Sequence, residues 1–202
     1  MESNKQKTVN MNMKTLKKIV FPFLSLFLCY RSIELMRGLI SSDPKEYSNN
    51  EVLIISFLLT LFITGIFAFI GFAYPSSRIL SDSYYEIKSP KVLNSISKVL
   101  RIKYFRLLLI FAFWGRKANR KKYFNGTKKG LINFVYQTKQ SEFGHLGAFF
   151  IIIILSFILL IHGYIFLVII TTLINILGNL YPVILQRSHR MRIEKITKYN
   201  NV

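Results

Sequence analysis

Apolar residues in this chain come in long unbroken runs, and the polar residues between them are mostly basic. VLIISFLLTLFITGIFAFIGFAY, Val52 to Tyr74, is long enough to cross a bilayer and stops before Pro75. Between Glu142 and Arg187 there are 44 residues without an Asp, Glu, Lys or Arg. A soluble core does not require such a run, whereas two crossings do. Within it, His162 and Gly163 mark a tight turn, so Leu146–Ile161 and Tyr164–Leu185 are the third and fourth crossings. The first is IVFPFLSLFLCY, continuing amphipathically to Ile40, with Arg31, Glu34 and Arg37 either facing protein or lying near the interface.

These runs predict a single all-α membrane domain over residues 1–202 with about four transmembrane helices. Residues 1–18 form a polar, frayed basic start, 19–40 and 52–74 the first two crossings, and 75–142 a basic loop. Residues 143–186 form a helical hairpin and 187–202 a basic tail. Inside the loop, KYFRLLLIFAFWG is too short to cross, so an interfacial or re-entrant helix is expected near Phe105–Trp114. RKANRKKYFNGTKKG after it carries turn signals, and LINFVYQTKQSEFGH then starts a helix that enters the membrane.

Charge sets the orientation. The loop from Pro75 to Glu142 holds 15 Lys or Arg against three acids, and Ser41–Glu51 holds three acids and one Lys. The positive-inside rule places both termini and the basic loop in the cytoplasm, which makes this a multi-pass cell-membrane protein. The formal charge of +19 is spread along segments beside apolar runs. That distribution suits anionic membrane lipids and not nucleic acid, for which no recognition module is present. Cys29 lies in an apolar run, where a thiol stays protonated and is a poor nucleophile.

Two polar stripes interrupt the hairpin. Thr138, Glu142 and His145 recur at i, i+4 and i+7, and Asn175, Asn179, Pro182, Gln186 and Arg190 form a second stripe. Counting from the turn puts His145 level with Leu180 and Glu142 with Val183. Pro182 frees the carbonyl of Gly178, giving a kink or an acceptor, and Gly178 lets another backbone approach. Glu142 can orient His145, which can then take a proton from a hydroxyl. Gln186, Arg187 and Arg190 can hold phosphate or a developing oxyanion. The alternatives are structural: Glu142 and His145 pair only with each other, the Asn residues cross-link helices, and the arginines anchor in headgroups. The three His are too far apart to suggest a metal site.

QTKQSEFGHLGAFF, then the hairpin, then NILGNLYPVILQRSHRMRI resembles the glycosyl-4,4'-diaponeurosporenoate acyltransferase family of small bacterial membrane proteins. The family's E-T-K-R-A-E-x-x-H-like segment matches Thr138, Lys139, Glu142 and His145. Its N-x-(Y/V)-P-x-x-x-Q-R-Y-N-R-x-R-like tail matches Asn179, Pro182, Gln186, Arg187, Arg190 and Arg192. Gln137, Ser188 and His189 depart from it. The resemblance implies esterification of a sugar hydroxyl of an apolar glycolipid, as in the last step of staphyloxanthin-type carotenoid synthesis. The fatty acyl donor would be an acyl-CoA or acyl carrier thioester, with no bound cofactor. His145 and Glu142 would be catalytic. Thr138, Lys139, Asn179, Gln186, Arg187 and Arg190 would bind substrate at the cytoplasmic face. A non-enzymatic accessory protein or another lipid-group transferase is the competing reading of the residues.

The orientation has a direct check. Reporter fusions after Asn10, Ser48, Thr127 and Lys198 should read inside, outside, inside and inside. A cytoplasmic Ser48 would remove one of the first two crossings.

Overall fold

The computed structural model describes residues 2–114 and 127–199. Among them the fold is all helical, and four helices are long and apolar enough to cross a membrane. Helix α1 is Glu2–Ser41, α2 is Asn49–Ala73, α3 is Asp82–Tyr85, α4 is Pro90–Val99 and α5 is Ile102–Leu109. The chain continues from α5 through a π-helical turn, Ile110–Trp114. Helix α6 is Lys128–Ile161 and α7 is Ile165–Asn175; a second π-helical turn, Ile176–Leu180, leads into α8, Tyr181–Tyr199.

The main apolar runs all became helices. The backbone is helical from Glu2 onward, taking in the polar stretch for which the sequence predicts frayed chain. The spanning window of this helix, Thr15–Ser41, still matches the expected first crossing. In the basic loop the single short helix expected near Phe105–Trp114 is one of several helical segments, with α4 preceding α5. The Asn125–Gly126 turn signal and Lys121 and Lys122 lie outside the described residues. At 34 residues, α6 is about 51 Å long, against roughly 30 Å of bilayer hydrocarbon. Its apolar part, Leu146–Ile161, would fill most of that thickness, and its polar N-terminal half is surplus to the crossing.

The described residues fall into two compact units. One comprises residues 1–76 and 147–176. In it α1 packs on α2 and α2 on α7, around Leu39, Leu59, Ile63, Ala148, Ile152, Leu159 and Leu167. Several polar groups in these helices bond within the protein, as a hydrocarbon solvent favours, while buried Ser156 Oγ and Thr171 Oγ1 have no hydrogen-bond partner among the described residues. Ser56 Oγ donates to the Leu167 carbonyl at 3.3 Å, and Ser25 Oγ to that of Ile66 at 3.2 Å. Arg31 pairs with Glu34 one turn away on α1, so two of the three charges expected in the first crossing satisfy each other. The Tyr164 hydroxyl donates to the Leu39 carbonyl at 2.6 Å, tying the turn before α7 to the end of α1. Gly163 makes that turn with φ +84°, a left-handed conformation that favours glycine. Phe23, Phe27, Phe57, Phe157 and Ile161 stay exposed on the helices, a surface suited to lipid.

The second unit comprises residues 77–146 and 177–202. Here α4 and α5 pack on α8 around Leu93, Ile102, Ile184, Leu185 and Met191. Ser48 caps α2 through a reciprocal capping box with Glu51, which fixes where the second crossing begins.

Close helix packing in the first unit depends on Gly147, because a Cβ there would lie 2.4 Å from Phe67 Cε1. Gly147→Val should therefore destabilise by about 1–3 kcal/mol through overpacking. Gly38→Ala, at a site with open space, should be neutral or slightly stabilising. Thermal unfolding of the detergent-solubilised protein compares the two; equal melting temperatures would contradict the packing.

Candidate functional site

The second unit is organised around one carboxylate. Glu142, on α6, is fully buried with 0% exposure. Arg187 Nε donates to its Oε1 at 2.8 Å, and Arg190 Nη2 donates to its Oε2. Both arginines come from α8. The counting from the turn placed Glu142 beside Val183, yet its partners lie four and seven residues further along. Helical side chains project back toward the helix N-terminus, so long arginines on α8 reach a carboxylate that lies a turn or two behind their own Cα atoms.

Two tyrosines of α3 close over this ion cluster. The Arg187 guanidinium lies 4.9 Å from the Tyr84 ring centroid, and that of Arg190 lies 5.3 Å from the Tyr85 ring. The Tyr84 hydroxyl also lies against both Glu142 and Arg187. Burial, reinforced by the nearby Glu142 charge, pushes the Tyr85 hydroxyl up to about 12, so it remains a neutral donor at physiological pH. Lys139 completes the arrangement: its Nζ donates to Asp82 at 2.6 Å and sits 5.2 Å from the Tyr85 ring. That contact holds the exposed Asp82 carboxyl below its usual range. Arg190 Nε and Nη1 and the Tyr85 hydroxyl have no hydrogen-bond partner among the described residues.

His145 stands one turn along α6 from Glu142 and has different partners. Its Nδ1 lies 3.0 Å from Asn179 Oδ1, and the ring also meets the Gly178 carbonyl. The expected Glu142–His145 pairing is therefore replaced. Two guanidinium groups satisfy a buried carboxylate better than a neutral imidazole can, and the imidazole takes the amide and the freed carbonyl. The π-helical turn at Ile176–Leu180 is the kink expected from Pro182, whose missing N–H leaves the Gly178 carbonyl without its α-helical partner. Gly178 does not serve close backbone approach, because no heavy atom lies within 4 Å of a Cβ built there.

The remaining expected site residues are distributed as follows. Thr138 is buried, and its hydroxyl donates to the Val135 carbonyl of its own helix at 2.7 Å. Gln186 Nε2 donates to Ser141 Oγ at 3.2 Å, a second link between α6 and α8. Asn175 Nδ2 donates to the Phe149 carbonyl at 3.1 Å and belongs to the other unit. Thus Glu142, Arg187, Arg190 and Lys139 are brought together, and His145 with Asn179. Tyr84, Tyr85 and Ser141 were not legible as site residues. The Tyr84–Tyr85 doublet is a visible signal in itself, but 57 residues separate Tyr85 from Glu142, and nothing local ties them.

Fold and site together define a multi-pass membrane protein with a buried charged centre between facing helices. The family model for glycosyl-4,4'-diaponeurosporenoate acyltransferase matches residues 81–199, over half the chain. The chain belongs to that family and is an acyltransferase. No curated protein and no solved structure matches it.

Removing the shared carboxylate should uncover its importance to the fold. Glu142→Gln leaves buried Arg190 and half-buried Arg187 without a counter-charge, and breaking such a buried group costs about 3–5 kcal/mol. A large drop in melting temperature is expected, with Tyr84→Phe losing far less, about 1 kcal/mol. A melting temperature unchanged by Glu142→Gln would contradict the ion cluster.

Proposed function

We propose that the protein transfers a fatty acyl group from a thioester donor to a sugar hydroxyl of an apolar glycolipid, a glycosylated carotenoid being the acceptor its family points to. The observation that carries this reading is the held imidazole of His145. With Nδ1–H donating to Asn179 Oδ1, Nε2 keeps its lone pair and can act as a base. His145 takes the proton of the acceptor hydroxyl as its oxygen attacks the thioester carbonyl. The tetrahedral intermediate collapses, the thiolate leaves and recovers the proton from the imidazolium, and the products are an ester and a thiol.

In this mechanism Asn179 fixes the ring, the work that the sequence alone suggests for Glu142. Glu142 instead holds Arg187 and Arg190 in place. Arg187 engages the carboxylate through Nε and is 31% exposed, so its remaining donors can face the donor carbonyl or oxyanion, assisted by Gln186. Arg190, 2% exposed, supports rather than contacts substrate, and buried Thr138 likewise shapes α6. Lys139, held beside Tyr85, contributes positive charge to the mouth of the site. The expected topology supports this reading: a cytoplasmic edge admits a soluble acyl-CoA or acyl carrier protein, while the acceptor's apolar tail stays in the leaflet.

His145→Ala should lower turnover by about 10²–10⁴ while the protein still inserts and accumulates. Acyl transfer per mole of inserted protein, in membranes supplied with donor and glycolipid acceptor, reads this directly. Lipid extracts should then show the free-hydroxyl glycoside in place of its ester. Near wild-type turnover by His145→Ala would remove the proposed base.

A further inference from the structure

A second basic cluster lies on another side of α8. Arg106 on α5 and His189 and Arg192 on α8 are within electrostatic range of one another. Residues 189 and 192 are three apart, on one side of the helix. Residues 187 and 190, which grip Glu142, are turned well away from that side. The Phe134 ring of α6 packs on His189 with centroids 5.4 Å apart. Beneath the cluster, Ile102, Leu185 and Met191 are buried together with Phe105 and Leu109 against them. A hydrogen bond of 3.1 Å between Ser97 and Ser188 ties α4 to α8 beside it. The two arginines and the imidazole are thus carried on helices that pack on one another.

No acid among the described residues forms an ion pair with them. Asp82 is taken by Lys139, and Glu142 by Arg187 and Arg190. Glu86 and Glu194, the other acids of this unit, make no ion pair among the described residues. Glu194 is two residues from Arg192 and projects about 200° around the helix from it. Residues 115–126 contain no acid in their sequence. Arg106 Nε is enclosed yet has no hydrogen-bond partner among the described residues, while Arg192 is exposed. The cluster therefore combines an enclosed, unanswered donor with an accessible cation.

We propose that Arg106, His189 and Arg192 form a phosphate-binding site. Two guanidinium forks match tetrahedral phosphate oxygens in geometry and charge, and a ring N–H of His189 supplies a further donor. Arg192 then does more than anchor the chain in headgroups. The phosphate can come from the diester of an anionic lipid or from a phosphate ester of a soluble donor. The site does not depend on His145 being the base.

Binding to the full-length protein, purified in a maltoside detergent that carries no phosphate, tests this in two arms. One titrates inorganic phosphate and adenosine 3',5'-bisphosphate by calorimetry; the other counts phosphatidylglycerol molecules retained by native mass spectrometry. Saturable single-site binding is expected in at least one arm. The arm that responds identifies the source, soluble ester or lipid headgroup. Arg106→Gln and Arg192→Gln should each weaken it by roughly tenfold or more, the scale of one lost charge-assisted hydrogen bond. Lys98→Gln, an exposed charge outside the cluster, should leave it unchanged. Arg192 is exposed, so its replacement tests binding even if Arg106→Gln impairs folding. Absence of saturable binding in both arms, unchanged binding in both arginine variants, or an equal loss in Lys98→Gln would overturn the proposal. Acyl transfer is not read in this experiment, so failure here leaves the His145 assignment standing.

Discussion

Two arginines of α8 converge on the single buried carboxylate of Glu142, and the arrangement of the second unit follows from that contact. A buried carboxylate is costly to desolvate unless opposite charge and hydrogen bonds replace the lost water. Here two guanidinium groups and the Tyr84 hydroxyl do so, and the two tyrosine rings cover the cations. An apolar contact between α6 and α8 would tolerate sliding and rotation. A carboxylate gripped on both oxygens fixes register and facing together. That register brings Asn179 opposite His145 and Ser141 opposite Gln186.

The main apolar runs were legible because a membrane enforces length. A span near 20 apolar residues has few readings, and Pro75, Gly163 and the charge-free run marked the ends of these helices. The stripes on α6 and α8 were legible for a similar reason, since helical period decides which residues share a face. The pairings within them were less so. Glu142 and His145 share a face of α6, which made them natural partners in sequence, but Glu142 found its partners on α8 and His145 in the π-helical turn before it. Pro182 did announce its consequence, a backbone distortion at Gly178, though not that His145 would meet the carbonyl set free. Tyr84 and Tyr85 were out of reach of any local pattern, because their role arises from a contact between distant segments.

The catalytic reading rests on a division of labour between adjacent turns of α6. The turn holding Glu142 is saturated with charge, enclosed, and engaged on both carboxylate oxygens. The turn holding His145 has an imidazole positioned by the Asn179 amide, the arrangement in which the proposed base would present Nε2 to a hydroxyl. Family membership supplies the reaction class, and this separation supplies a reason for the charges: they build a frame beside the imidazole proposed as the base. Arg187 stands at the junction, bound to the frame yet about a third exposed.

Whether Glu142 and Arg190 hold each other is read by a double-mutant cycle between them. Glu142→Gln, Arg190→Gln and the double variant would be compared with the parent by unfolding free energy in detergent. Coupling of about 1–3 kcal/mol is expected, the double variant losing less than the sum of its parts, because each single change strands a buried charge. Additive losses, with coupling indistinguishable from zero, would mean that the two residues do not hold each other and that something else sets the register of α6 and α8.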